Sequence, residues 1–176
     1  DRCVANGISL TLNRGDRIAL VGRNGCGKSS LLKLLVGQPI AHTGTLEIGS
    51  RLTVSYVPQD MSFLSGSADD FAAESEIDLT LFKTILRKLD FKRTQFTKDM
   101  SEFSMGQKKK VLLARSLCQR ANLYIWDEPL NYIDVISRLQ IETLILEYKP
   151  TMLFVEHDEA FVNDIATKVC RISLNQ

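Results

Sequence analysis

Residues 22–30 read GRNGCGKSS, between an apolar run from Arg17 to Val21 and a helical pattern, KSSLLKLLV, from Lys28 to Val36. The spacing is G-x-x-x-x-G-K-[ST], and its place after a predicted strand and before a predicted helix makes it a P-loop. The glycines Gly22, Gly25 and Gly27 let backbone N–H groups curl around phosphate oxygens. The predicted ATP-binding stretch is therefore Gly22, Arg23, Asn24, Gly25, Cys26, Gly27, Lys28, Ser29 and Ser30. Lys28 reaches the β- and γ-phosphates, and Ser29 offers its hydroxyl to Mg²⁺. Cys26 sits where a helix N-terminus can lower a thiol pKa. The reading adopted for it is a small residue accommodated by the loop.

Strand and helix patterns place the rest. Ile8–Leu12, the GTLEIG run and LTVSYV read as short strands, the last ending at Pro58. From Asp60 to about Phe103 the strand signal disappears, and DLTLFKTILRKLDF (Asp78 to Phe91) has helical apolar spacing. Residues 60–103 are expected to form a small helical insertion within one domain spanning 1–176. Beyond it NLYIWDE and TMLFVEHD are buried strands, DVISRLQIETLILEY is an amphipathic helix capped by Asp134, Asp158 caps a short helix, and VCRISL is a last strand. Strand–helix alternation of this kind implies a parallel sheet with crossover helices.

FSMGQKKKVLLAR, from Phe103 to Arg115, opens with Ser104 and Gln107 in capping-box spacing. Gly106 falls inside the first turn, where glycine costs about 1 kcal/mol relative to alanine. A helix start loosened in this way suits an anion. Lys108, Lys109 and Lys110 fan around the helix at about 100° per residue, so they are expected to form a solvated face rather than one patch.

LYIWDEP places Asp127 and Glu128 at the end of a buried strand. Successive side chains point to opposite sides, which separates their tasks. In a P-loop protein the aspartate supports Mg²⁺, leaving Glu128 to polarise an attacking water. His157 ends the next buried strand. A histidine there is either a satisfied polar residue or a catalytic one.

Composition narrows the class. Lys plus Arg number 22 against 21 acidic residues, a net charge of +1, which is no footprint for direct nucleic-acid binding. No apolar run approaches the roughly 18 residues of a membrane span. The four cysteines, Cys3, Cys26, Cys118 and Cys170, lack metal-type spacing and read as reduced thiols in a cytoplasmic protein. The opening DRCVANGISL has no methionine and runs straight into an alternating segment, so the chain is expected to be cut from a longer one.

The P-loop, Gln59, FSMGQ, IWDEP and EHD occur in the order found in ATP-binding-cassette (ABC) ATPases, and the sequence resembles that family over nearly its whole length. WDEPLNYIDV and MGQKKKVLLARSL look most like the ABC-F group and its antibiotic-resistance, ribosome-protecting members. Transporter ATPases usually carry Thr or Thr-Ser where this chain has Leu130. The resemblance implies an α/β P-loop NTPase fold with a mostly parallel core sheet, N-terminal antiparallel strands and a small helical subdomain. It assigns Gln59 to Mg²⁺ and the attacking water, His157 to the γ-phosphate, and Asp134 to the D-loop that bridges two nucleotide-binding domains. It also implies that Ser104, Met105, Gly106 and Gln107 face ATP held by a second nucleotide-binding domain, in the same parent chain or a second copy. Met105 replaces the family's usual first glycine, and the family's upstream adenine-stacking aromatic has no identifiable counterpart here.

The expected function is binding and hydrolysis of Mg-ATP by such a domain, acting on the ribosome. The alternatives are the ATPase subunit of a membrane transporter and an ATP-gated clamp with little hydrolysis.

Overall fold

The computed structural model describes residues 7–172. The chain divides into two compact units. The first comprises the described residues up to Tyr56, Ala121–Glu128, and those from Lys149 onward; the second comprises Val57–Arg120 and Pro129–Tyr148.

The first unit is built on a sheet whose strands are β1 (Arg17–Val21), β2 (Val54–Val57, its last residue counted with the second unit), β3 (Leu123–Asp127), β4 (Met152–Val155) and β5 (Lys168–Arg171). Their order is β2-β3-β4-β1-β5, and β1–β4, β1–β5 and β3–β4 are parallel ladders. Helices α1 (Lys28–Leu35) and α6 (Glu159–Ile165) belong to the same unit. Every residue of β4 is buried, as are Ile18, Ala19 and Leu20 of β1. Strands this apolar need cover on both faces, which is how parallel sheets occur. One face packs Ile18, Leu20, Ile125, Leu153 and Val155 with Leu32 of α1. On β4, Phe154 meets Phe161 of α6 edge to face, ring centres 5.6 Å apart. Asp158 caps α6 by accepting from the Phe161 N–H at 2.9 Å.

The α/β class and the parallel sheet are as the sequence implies, but two predicted strands are absent. Residues 8–12 form no ladder. Ile8, Leu10 and Leu12 nonetheless alternate inward against the core, with Ser9 and Thr11 exposed. The period of two survives as packing without strand pairing. Residues 44–49 likewise form no strand, and Leu46 and Ile48 are exposed. A strand needs a laterally placed partner as well as an alternating sequence. The antiparallel strands implied at the N-terminal end are therefore not formed among the described residues, and Cys3 lies outside them.

The second unit is helical: α2 (Ala68–Glu74), α3 (Leu79–Lys88), α4 (Met105–Cys118) and α5 (Val135–Tyr148), with two short 3₁₀ turns before α4. Asp78 caps α3, whose Phe82, Ile85 and Leu86 are buried at helical spacing. Ile141 and Ile145 of α5 face inward, while Val135, Ile136 and Leu139 remain exposed, so α5 is apolar on more than one side.

Candidate functional site

The parallel ladders bring the first unit's candidate site residues to one rim. Leu20, Val155 and Asp127 stand in one row across β1, β4 and β3. The glycine loop starts two residues beyond Leu20, His157 two beyond Val155, and Glu128 one beyond Asp127. At about 4.8 Å between strands, Glu128 and the start of the loop stand roughly 10 Å apart, with His157 between them.

The loop is shaped by positions that tolerate no side chain. A Cβ on Gly22 would run into the Ile172 carbonyl, and Gly25 and Gly27 have φ of +77° and +94°. Gly27 is the N-cap of α1 and supplies no side-chain cap, which leaves the first-turn N–H groups directed at whatever the loop encloses. Lys28 is buried, its Nζ donating to the carbonyls of Gly22 at 2.8 Å and Arg23 at 3.1 Å. Glycine amides, a helix N-terminus and one ammonium are all donors, and they suit a polyphosphate. Arg23, Asn24 and Gly25 are exposed at the tip; Ser29 and Ser30 are half-buried. Cys26 points into the hydrophobic core beside Leu20 and Leu32, so it packs and is inaccessible.

Asp127 ends β3 with 1% of its surface exposed. The Tyr56 phenol is pushed up to about 12, by burial first and then by the charge of Asp127. Glu128 follows with φ of +50°, a left-handed conformation that costs a non-glycine residue roughly 1 kcal/mol or more. Its N–H donates to Val155 O at 3.0 Å, which anchors the reversal. The carboxylate Oε1 lies 3.2 Å from His157 Nε2. The His157 side chain is 47% exposed and the Glu128 side chain 15%. His157 is thus set against the acid that sequence reasoning nominated for water. Glu156, buried one residue earlier, accepts from the His157 N–H at 2.7 Å and stiffens that turn.

Oxygen donors suit Mg²⁺, and Ser29 and Asp127 supply a hydroxyl and a buried carboxylate. Among the described residues no three His, Cys, Asp or Glu side chains converge to hold a metal unaided.

The second unit carries Gln59, the FSMGQ segment and Asp134. Gln59 is exposed in the loop after β2. Ser104 caps α4 in a complete capping box: its Oγ accepts from the Gln107 N–H at 3.3 Å, and Gln107 Oε1 accepts from the Ser104 N–H at 2.9 Å. Ser104 and Met105 are exposed, leaving the helix start accessible. Gly106 has a reason that the sequence did not disclose. A Cβ there would lie 2.5 Å from the carbonyl oxygen of Tyr132, itself at φ of +67°. The backbone before Asp134 is laid directly on the start of α4.

The lysine run is not a solvated face. Lys109 is 1% exposed and Lys110 8%. Lys109 Nζ donates to Pro58 O at 3.2 Å, and Lys110 Nζ pairs with Asp134 Oδ2 at 2.6 Å. Asp134 also accepts from the Ser137 N–H and hydroxyl, each at 2.9 Å. Partial burial opposes its ionisation, but the hydrogen bonds from Lys110 and Ser137 outweigh this and hold the carboxyl well below the usual range. Lys109, Lys110 and Tyr132 are what sequence reasoning missed. The only signal was the costly glycine at position 106.

A strand, a glycine loop closing on a lysine and a helix start, with an acidic pair on the same rim, define a P-loop nucleotide hydrolase. The ABC transporter family pattern matches residues 5–131, and the chain belongs to that family as an ABC ATPase nucleotide-binding domain. It is 36% identical to the ATP-binding protein Uup of Escherichia coli over 92% of this chain and 27% of that one. It is 29% identical to ABC transporter F family member 2 of Arabidopsis thaliana, over 98% of this chain and 26% of that one. Among solved structures, the archaeal ribosome recycling factor in complex with a ribosomal stalk protein superposes with a TM-score of 0.77 at 26% identity, over 93% of this chain and 33% of that one. The chain thus spans about a quarter to a third of the length of these proteins. Domains of this family bind ATP with Mg²⁺. No helix among the described residues is long and apolar enough to cross a membrane.

Proposed function

We propose that the chain binds Mg-ATP in the Gly22–Ser30 loop, closes head to tail on a second nucleotide-binding domain, and hydrolyses the nucleotide to reopen. The observation that carries this reading is the Glu128–His157 pair at 3.2 Å, on the rim that also bears the P-loop. Glu128 orients a water for in-line attack on the γ-phosphorus. The new P–O bond forms as the bond to the β-phosphate oxygen breaks, leaving ADP and inorganic phosphate. With Glu128 ionised, His157 donates from Nε2 and holds the carboxylate in place. Lys28 and the loop amides steady the charge on the transferring group. Ser29 and Asp127 would hold Mg²⁺, with Gln59 assigned to the same ion by the family resemblance, and the ion would neutralise phosphate charge.

The second nucleotide-binding domain, in the same parent chain or a second copy, receives Ser104, Met105, Gly106 and Gln107 against its own ATP, with Asp134 at the junction. The ribosome-recycling neighbour supports work on the ribosome, and the resemblance of WDEPLNYIDV and MGQKKKVLLARSL to the ABC-F group extends this reading to a cytoplasmic translation factor or a protein that protects ribosomes from antibiotics. The family's own description favours a second reading, an ATPase subunit coupled to a membrane transporter.

Glu128→Gln keeps shape and hydrogen bonding but loses the charge that orients water. Mg-ATP should still bind, while phosphate release falls by about 100-fold or more. Wild-type specific activity should rise with protein concentration, because two domains complete each site. Wild-type turnover in Glu128→Gln would remove this residue from the mechanism. Co-sedimentation of the ATP-loaded variant with ribosomes, as against permease-containing membranes, separates the two partners.

A further inference from the structure

Lys109 lies in the interior of α4, five residues beyond the Ser104 cap, and is 1% exposed. Taking an ammonium out of water is costly, so a lysine persists in such a place only where its charge is well used. Its Nζ donates to the carbonyl of Pro58, 51 residues away in sequence, at 3.2 Å. That carbonyl and the N–H of Gln59 belong to one planar peptide group. Fixing the oxygen therefore fixes the plane from which Gln59 departs. Proline has no N–H of its own, so at Pro58 only the carbonyl side of the backbone can be gripped by a hydrogen bond. Lys110, the next residue, turns about 100° around the helix and grips Asp134 instead.

We propose that Lys109 is a positioning residue for Gln59, tying the loop that presents Gln59 to the helix whose start bears Ser104 and Gly106. The proposal rests on the reading of Gln59 as a residue that contacts Mg²⁺ and the attacking water. Any shift of α4 moves the Pro58–Gln59 peptide with it. The helix that faces one nucleotide thereby sets the loop that serves another.

The decisive variant is Lys109→Met, which fills a similar volume without charge or donor. Lys109→Met leaves the Pro58 carbonyl without this donor, which costs stability, and Lys109→Arg keeps a cationic donor if the methionine variant does not fold. In ¹H–¹⁵N spectra of the chain, the Gln59 amide should move in Lys109→Met beyond the shifts of other loop residues. An unmoved Gln59 resonance overturns the tie, whatever the ATPase does. In steady-state ATPase assays of the chain at matched concentration, Lys109→Met should lower kcat by about 10- to 100-fold, with KM for Mg-ATP within about threefold. Lys109→Arg should recover most of kcat. In a Gln59→Ala background, Lys109→Met should add less than about twofold, because both changes remove one effect. Equal losses in both backgrounds would make Lys109 a structural residue only. Should the wild-type chain release no phosphate, the functional reading fails while the amide shift still decides the tie.

Discussion

Replacing Gly106 by alanine sets two opposed effects in one helix turn. Alanine is the better helix former by about 1 kcal/mol, so an otherwise unencumbered site would gain that much. The new Cβ, however, would lie 2.5 Å from the Tyr132 carbonyl oxygen, where ordinary contact begins at 3.4 Å. The obstacle is main chain, so no rotamer change relieves it. Either the 129–134 segment retreats by about 0.9 Å, or α4 does. Overpacking of this kind costs about 1–3 kcal/mol, which leaves a net loss of about 0–2 kcal/mol after the propensity gain. The displaced segment ends in Asp134, so the Lys110 pair would be strained with it. Urea unfolding of wild type and Gly106→Ala, followed by circular dichroism, measures the balance. A comparison with Gly106→Ser checks that the loss follows the Cβ rather than alanine itself. A gain near the full ~1 kcal/mol would refute the contact and leave close approach to a partner's phosphate as the one reason for Gly106. A loss in the single chain shows that the glycine is already needed before any partner arrives.

Two further outcomes are expected. Lys28→Ala removes the ammonium that the loop closes on, and hydrogen bonds from charged groups are worth about 1.5–3 kcal/mol; titration with a fluorescent ATP analogue should show affinity weakened by about 10- to 100-fold. Asp134 has a depressed folded-state pKa, so the stability it contributes is present above the ordinary carboxylate range and lost as pH falls toward the folded value. The advantage of wild type over Asp134→Asn in urea midpoint should therefore be full near neutral pH and shrink below about pH 4; an advantage unchanged down to strong acid would show that the Lys110 pair contributes nothing.

Features encoded within a few residues were legible in the sequence. The P-loop was, because glycine conformation, the helix start and Lys28 lie within one nine-residue stretch. So were the Ser104 and Asp158 caps, whose donor and acceptor stand three residues apart. Asp127, Glu128 and His157 could be nominated because apolar runs showed where buried strands stop, and parallel strands bring such ends to one rim. Periodicity failed where an element needs a lateral partner. Residues 8–12 alternate correctly yet pair with nothing in a ladder, and in the order β2-β3-β4-β1-β5 the place of β1 between β4 and β5 departs from adjacency in sequence. It failed most plainly on the lysines. A run of three cations has the composition of a solvated face, but solvation depends on what covers the helix. Here Pro58 lies 51 positions upstream of Lys109 and Asp134 lies 24 downstream of Lys110. Gly106 looked like a concession to an outside anion; that it also lies under the Tyr132 backbone depends on a segment 26 residues further along the chain. The sequence by itself determined which short segments suit a phosphate, begin helices and end strands, because those properties are local. Only the tertiary structure decided which charges are buried and which loops α4 grips, because burial is a property of the chain segments that pack there.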